Sequence, residues 1–115
     1  MDVKLADESL SGSWLSTRLG VGTRRLDAMR RAGELLGVRR PGGWDFLYPA
    51  WQFAPDGSPL PVIPRLVAAG REAGMTDERL YEVLAARTGI SGEARVADAL
   101  REGKDEYVLG VVRGA

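Results

Sequence analysis

Apolar positions return along this chain in short helical bursts, most of them closed by a glycine. Leu15 and Leu19 stand four apart on one face and predict a helix over 13–19 that stops at Gly20-Val21-Gly22. A second helix is predicted over 23–32, with Leu26 and Met29 on its apolar side, Ala28 and Ala32 nearby, and Gly33 as its C-terminal stop. Before Ser11 the pattern is weak, polar and acidic, which fits an arm or a short leading helix with Val3, Leu5 and Leu10 turned inward.

The period then changes. Leu35-Leu36-Gly37-Val38-Arg39-Arg40, Pro41-Gly42-Gly43 and Trp44-Asp45-Phe46-Leu47-Tyr48 read as two β-prone runs around a tight turn, hence a hairpin in which Trp44, Phe46 and Tyr48 alternate to one side. Residues 54–61 hold three prolines and a glycine and break regular structure. Helical spacing resumes beyond Pro61. Pro64 suits a first helical position, Leu66, Val67 and Ala69 follow, and Gly74 closes that helix. Thr76 caps the next, with Asp77 and Glu78 in its first turn, Leu80, Val83 and Leu84 as its buried stripe, and Gly89 as its end. Ser91 is the candidate cap of another, with Val96, Ala97 and Leu100 inward and Gly103 as terminator. Asp105 opens a last segment carrying Val108, Leu109 and Val112, whose β-branched content leaves helix and strand both open over 107–112.

The organisation that follows is mainly α with a small β-hairpin wing. Residues 1–53 form a helix-turn-helix region with its wing, 54–62 a Pro/Gly-rich junction, and 63–115 a helical bundle for protein interaction and dimerisation. A chain of 115 residues with 44% hydrophobic side chains supports one modest core.

Charge sharpens the picture. The net charge is zero, yet residues 14–40 carry seven arginines against Asp27 and Glu34. A guanidinium donates two parallel hydrogen bonds, so an arginine-only block suits phosphates and base edges better than lysines would. On the predicted second helix, Thr23, Arg24 and Arg25 project toward base edges, while Arg30 and Arg31 stand near flanking phosphates; Arg18, on the first helix, is a further DNA-binding candidate. Arg39 and Arg40, at the wing, reach an adjacent phosphate or minor groove. The competing reading is a solvated, arginine-rich face.

With no cysteine and no histidine, thiolate and imidazole chemistry are both excluded, together with zinc fingers and Ser-His-Asp triads. Adjacent carboxylates such as Asp77/Glu78 and Asp105/Glu106 diverge on a helix and serve the helix dipole, so no enzyme activity is expected. Gly20/Gly22 and Gly42/Gly43 lack the context of a nucleotide-binding loop, and neither a cofactor nor a metal is expected. No apolar run approaches the roughly 20 residues of a membrane span. The residues Met1-Asp2-Val3-Lys4 lack the order of a signal peptide, which makes the cytoplasm the expected location.

The stretch Leu47-Tyr48-Pro49-Ala50-Trp51-Gln52-Phe53, with Asp56-Gly57 and Pro59-Leu60-Pro61 after it, resembles a block of the small actinobacterial-type relatives of the Xre/MbcA/ParS antitoxin family. Leu100, Gly103 and Val108 match the spacing of that family's C-terminal ending. Where the family carries a proline four residues before the leucine, this chain has Val96. The resemblance implies a DNA-binding helix-turn-helix followed by a helical toxin-binding domain, with Leu100, Gly103 and Val108 as partner-binding residues. The N-terminal half is also similar to the winged reading heads of MerR and excisionase proteins. The expected partners are therefore double-stranded DNA, a second copy of the chain and a toxin protein; the alternative is an interaction adaptor that binds no DNA.

Overall fold

Ser11 begins the first helix by turning its hydroxyl onto the chain ahead, where it accepts from the Trp14 amide at 3.1 Å. The helix, α1 (Gly12–Leu19), ends at Gly20, whose φ of 70° lies in the left-handed region. The Val21 amide returns to the Ser16 carbonyl at 3.1 Å, and the Ser16 hydroxyl donates to the Val21 carbonyl. The chain is thereby set to enter α2 (Thr23–Arg31) three residues after α1 closes. The computed structural model describes residues 9–39, 42–43, 45–88 and 94–115. Val3, Leu5, Arg40, Pro41, Trp44, Gly89 and Ser91, all singled out in the sequence, lie outside those residues.

A three-stranded antiparallel sheet follows, in the order β1 (Ser9–Ser11), β3 (Phe46–Pro49), β2 (Val38–Arg39). Its register pairs Leu10 with Tyr48 and Val38 with Leu47. Side chains alternate across a strand, and here each side meets a different core. Tyr48, with Leu10 and Phe46 beside it, packs on Leu15, Leu26 and Leu35 of the helix-turn-helix. Leu47 and Val38 point the other way, onto the C-terminal helices. The expected hairpin is present, and it is a shared layer between two clusters. β1 was not expected: the Ser9–Ser11 segment is a strand because β3 offers it an open edge, whereas its own pattern is too short to declare a period.

Gly37 shows how tightly this layer is packed. A Cβ there would sit 2.6 Å from Arg30 Cδ and 2.9 Å from Tyr48 Cε1. Arg30 lies flat over this seam, its guanidinium 3.5 Å from the centre of the Phe46 ring and 3.3 Å from Asp27 Oδ1. Burial raises the Tyr48 pKa above 10.0, and the nearby Arg30 cation opposes that shift.

After β3 a single 3₁₀ turn (Ala50–Gln52) places Trp51 in the C-terminal cluster and Gln52 between the halves. The Gln52 side chain is 0% exposed. Its Oε1 accepts from the Leu36 amide at 2.8 Å, and its Nε2 donates to the Leu36 carbonyl at 2.8 Å and the Pro49 carbonyl at 3.1 Å. Leu60 N–H donates in turn to the Gln52 carbonyl at 2.8 Å. The Pro/Gly-rich segment is a closed loop: Phe53 bridges Pro59, and Asp56 accepts from the Ser58 amide and hydroxyl.

The C-terminal half consists of α3 (Ile63–Glu72), α4 (Asp77–Ala85), β4 (Arg87–Thr88), β5 (Ala94–Arg95), α5 (Asp98–Arg101) and α6 (Asp105–Gly114). Its cluster joins Ile63, Leu66, Leu80, Leu84, Leu100 and Leu109 to Leu36, Val38 and Trp51 from residues 1–53. The 107–112 run, open between helix and strand in the sequence, is helical, with Val108, Leu109 and Val112 buried at helical spacing. Two expectations fail between 85 and 95. The α4 helix stops at Ala85, short of Gly89, and Ala94–Arg95 form β5 where the helix expected from Ser91 would run. The cause is competition for carbonyls: Val96 and Ala97 amides donate to the Ala86 and Leu84 carbonyls at 3.0 and 2.8 Å, which turns the chain back on itself. Among the described residues, no helix is long and apolar enough to cross a membrane.

Two substitutions test this layer. Trp51→Ala removes a side chain that is 4% exposed and should cost about 3–5 kcal/mol. Gln52→Leu keeps the volume but strands the Leu36 amide and carbonyl, at about 1–3 kcal/mol for each unsatisfied group. Chemical denaturation checks both. A midpoint unchanged by Gln52→Leu would mean that the clasp carries no stability.

Candidate nucleic-acid interface

The α2 helix turns Leu26 into the N-terminal cluster and therefore presents the opposite side to solvent. Arg24, Ala28 and Arg31 recur at i, i+4 and i+7 along that side, with Arg25 next to them, and all four are exposed. Ala28, expected near the apolar face, is instead the centre of the outer one, and Ala32 is exposed as well. A small residue there lets the helix backbone approach a surface closely. Thr23, at the first position of the helix, is exposed.

In the C-terminal half four arginines are paired: Arg65 with Glu106 at 2.9 Å, Arg71 with Asp77 at 3.2 Å, Arg79 with Glu82 at 3.2 Å and Arg95 with Asp98 at 3.3 Å. Among the described residues, Arg24, Arg25 and Arg31 meet no carboxylate within ion-pair distance. Three uncompensated guanidiniums on one exposed helical stripe make a concentrated positive surface.

Not every arginine of the block belongs to it. Arg30, expected near flanking phosphates, is 14% exposed at its side chain and is held by Asp27 and the Phe46 ring, so it is part of the packing. Arg18 also stands apart: its Nε lies 3.2 Å from where a Cβ of Gly57 would be, over the loop after Phe53, in a concavity with Leu10, Trp14 and Pro55. Arg39 is exposed on β2, with its guanidinium 5.2 Å from the Phe46 ring centre. Arg40 lies outside the described residues. The stripe therefore gathers Thr23, Arg24, Arg25 and Arg31, with Arg39 on the neighbouring strand.

A concavity of about 500 Å³ lies beside the stripe, lined by Thr23, Asp27, Arg30, Asp45, Phe46 and Tyr48 among others. Its two carboxylates set it apart from the cationic helix face. Neither Asp77 nor Glu78 forms an acid–base pair: Asp77 holds Arg71, and Glu78 Oε2 accepts from the Arg39 amide at 3.3 Å.

The residues expected to bind a partner are placed differently. Leu100 and Val108 are 4% and 0% exposed and belong to the C-terminal core, because α5 and α6 pack their apolar sides together there. Gly103 is exposed, and its φ of 73° closes the turn after α5. Arg71 carries no signal in the sequence, since its bonds to α2 join residues some 40 positions apart. Gln52 could have been found only as a polar residue inside an aromatic run.

No protein-family model and no curated protein matches this chain. Among solved structures, the NMR structure of Rv2175c is similar, with a TM-score of 0.79 over 92% of this chain and 79% of that one, at 22% sequence identity. That likeness is one of fold, a mainly helical chain with a small antiparallel sheet, at low sequence identity.

Proposed function

We propose that this chain is a DNA-binding regulator that reads duplex DNA with α2 and steadies itself with the β2–β3 hairpin as a wing. The observation that carries the reading is the α2 stripe, where Arg24, Arg25 and Arg31 are exposed along one face of a single helix and unpaired among the described residues, while Arg65, Arg71, Arg79 and Arg95 of the C-terminal half each hold a carboxylate. A helix about 10–12 Å across fits the major groove, which is about 12 Å wide. Arg24 and Arg25 lie in its first turn, where reading helices of helix-turn-helix proteins meet base edges. One nine-residue helix spans few base pairs, so a second copy of the chain on a half-site roughly 34 Å away supplies the rest of the specificity. The toxin-binding role implied by the antitoxin resemblance belongs, on this reading, to the C-terminal half, through residues other than the buried Leu100 and Val108.

An interaction adaptor that binds no DNA is the second reading. It is favoured by Trp14, which is 52% exposed in an apolar groove with Leu10, Phe53 and Pro55.

Fluorescence anisotropy with a duplex selected from a random library on the wild-type protein, run at several salt concentrations, separates the two. DNA binding predicts a log-log slope of about −0.9 per phosphate neutralised, and the adaptor predicts no binding. Arg24→Ala with Arg25→Ala should leave the melting temperature unchanged and weaken binding by about 1–3 kcal/mol for each bidentate arginine–base pair removed. Arg39→Ala and Arg40→Ala should weaken all duplexes alike and flatten the salt slope by about one unit for each phosphate no longer neutralised. If the α2 variant keeps full affinity while folded, the reader is another element.

A further inference from the structure

The C-terminal half reaches across to both DNA-facing elements at one place, the corner between α3 and α4. Arg71, near the end of α3, donates from Nη1 to the Arg31 carbonyl at 3.2 Å and from Nη2 to the Arg30 carbonyl at 3.3 Å. These carbonyls are at the C-terminal end of α2, where a helix runs out of its own amide donors and its dipole favours a cation. The same Nη2 is 3.2 Å from Asp77 Oδ2, so the fork is anchored from behind. Gly33 makes the space: a Cβ there would sit 3.1 Å from Arg71 Nη1, and its φ of 83° disfavours any side chain.

The next residue grips the other element. Glu78 Oε2 accepts the Arg39 amide of β2 at 3.3 Å. Both carboxylates lie in the first turn of α4, which Thr76 fixes by accepting the Arg79 amide at 3.1 Å. One rigid corner thus holds the end of the reading helix through Arg71 and Asp77 and the wing strand through Glu78.

We propose that Arg71 is a positioning residue for DNA reading: with Asp77 and Glu78 it braces α2 against β2, so the C-terminal half sets the angle at which the N-terminal half meets its site. This rests on the DNA-binding reading above. Arg71 itself touches no base. It acts through the backbone of α2, and the geometry suits a fork, because the two carbonyls are met by two different nitrogens of one planar guanidinium, Nη1 and Nη2, which the single nitrogen of an ammonium does not reproduce.

The test uses full-length protein and Arg71→Lys, which keeps the charge and loses the fork, at a temperature where both are fully folded by circular dichroism. The probes are the duplex selected on the wild-type protein and the same duplex with its sequence scrambled. The ratio of the two affinities should fall about tenfold, the scale of one charge-assisted hydrogen bond, with the salt slope unchanged. Amide exchange without DNA should quicken at Ala32, Gly33 and Glu34, whose hydrogen bonds close the end of α2, ahead of exchange in the C-terminal core. If Arg71→Lys does not fold, Asp77→Asn frees the fork from its anchor and should give the same pattern. A wild-type affinity ratio together with wild-type exchange in a folded variant overturns the brace. If the wild type selects no duplex at all, the DNA-binding reading fails, and exchange at the end of α2 decides the brace alone.

Discussion

Phe46, Leu47 and Tyr48 send their side chains alternately to the two sides of one strand, and each side is the floor of a different hydrophobic cluster. Neither half can close unless both faces of that strand are covered. Tyr48 seats α1 and α2 through Leu15 and Leu26, while Leu47 and its cross-strand partner Val38 seat the C-terminal helices. A slip of one residue in register would exchange the two sets and empty both cores. Gln52 guards against it: its side-chain amide binds both backbone groups of Leu36, just before β2, and the Pro49 carbonyl at the end of β3. Leu35 and Leu36 complete the division, because adjacent residues fall into opposite clusters.

Much of this was legible in the sequence wherever one local rule governed. Gly20 ends α1 at a positive φ, Thr76 caps α4 through its hydroxyl, and the hairpin around Pro41-Gly42-Gly43 pairs Val38 with Leu47. What escaped was decided by distant partners. β1 exists because β3 has an open edge, and α4 stops early because Val96 and Ala97 claim its last carbonyls. Leu100 and Val108 share the spacing expected of a partner-binding ending, but spacing cannot tell an interface from a core, and here both are core. Part of the arginine block divides in the same way: Arg24, Arg25 and Arg31 stand outward, while Arg30, next to Arg31 in sequence, turns inward onto Phe46.

The clusters also explain how a cationic surface can be maintained on so small a chain. Like charges along one helix repel, and the single carboxylate of α2, Asp27, is paired with Arg30 and not with Arg24, Arg25 or Arg31. The helix is held from below by Leu26 in the N-terminal core and from its end by the Arg71 fork, which brings a cation already balanced by Asp77. Stability is supplied by the buried side and the far half, leaving the outer stripe free to carry charge that a phosphate backbone can neutralise.

If α2 presents its outer face to duplex DNA, its own resonances must move on binding. Titration of isotope-labelled protein with the selected duplex, followed by amide and arginine side-chain signals, reads this residue by residue. The largest changes are expected on Thr23, Arg24, Arg25, Ala28 and Arg31, with a second group at Val38 and Arg39, and smaller ones in the groove around Trp14 and Phe53. Changes centred on that groove, with α2 unmoved at saturating DNA, would contradict docking through the helix.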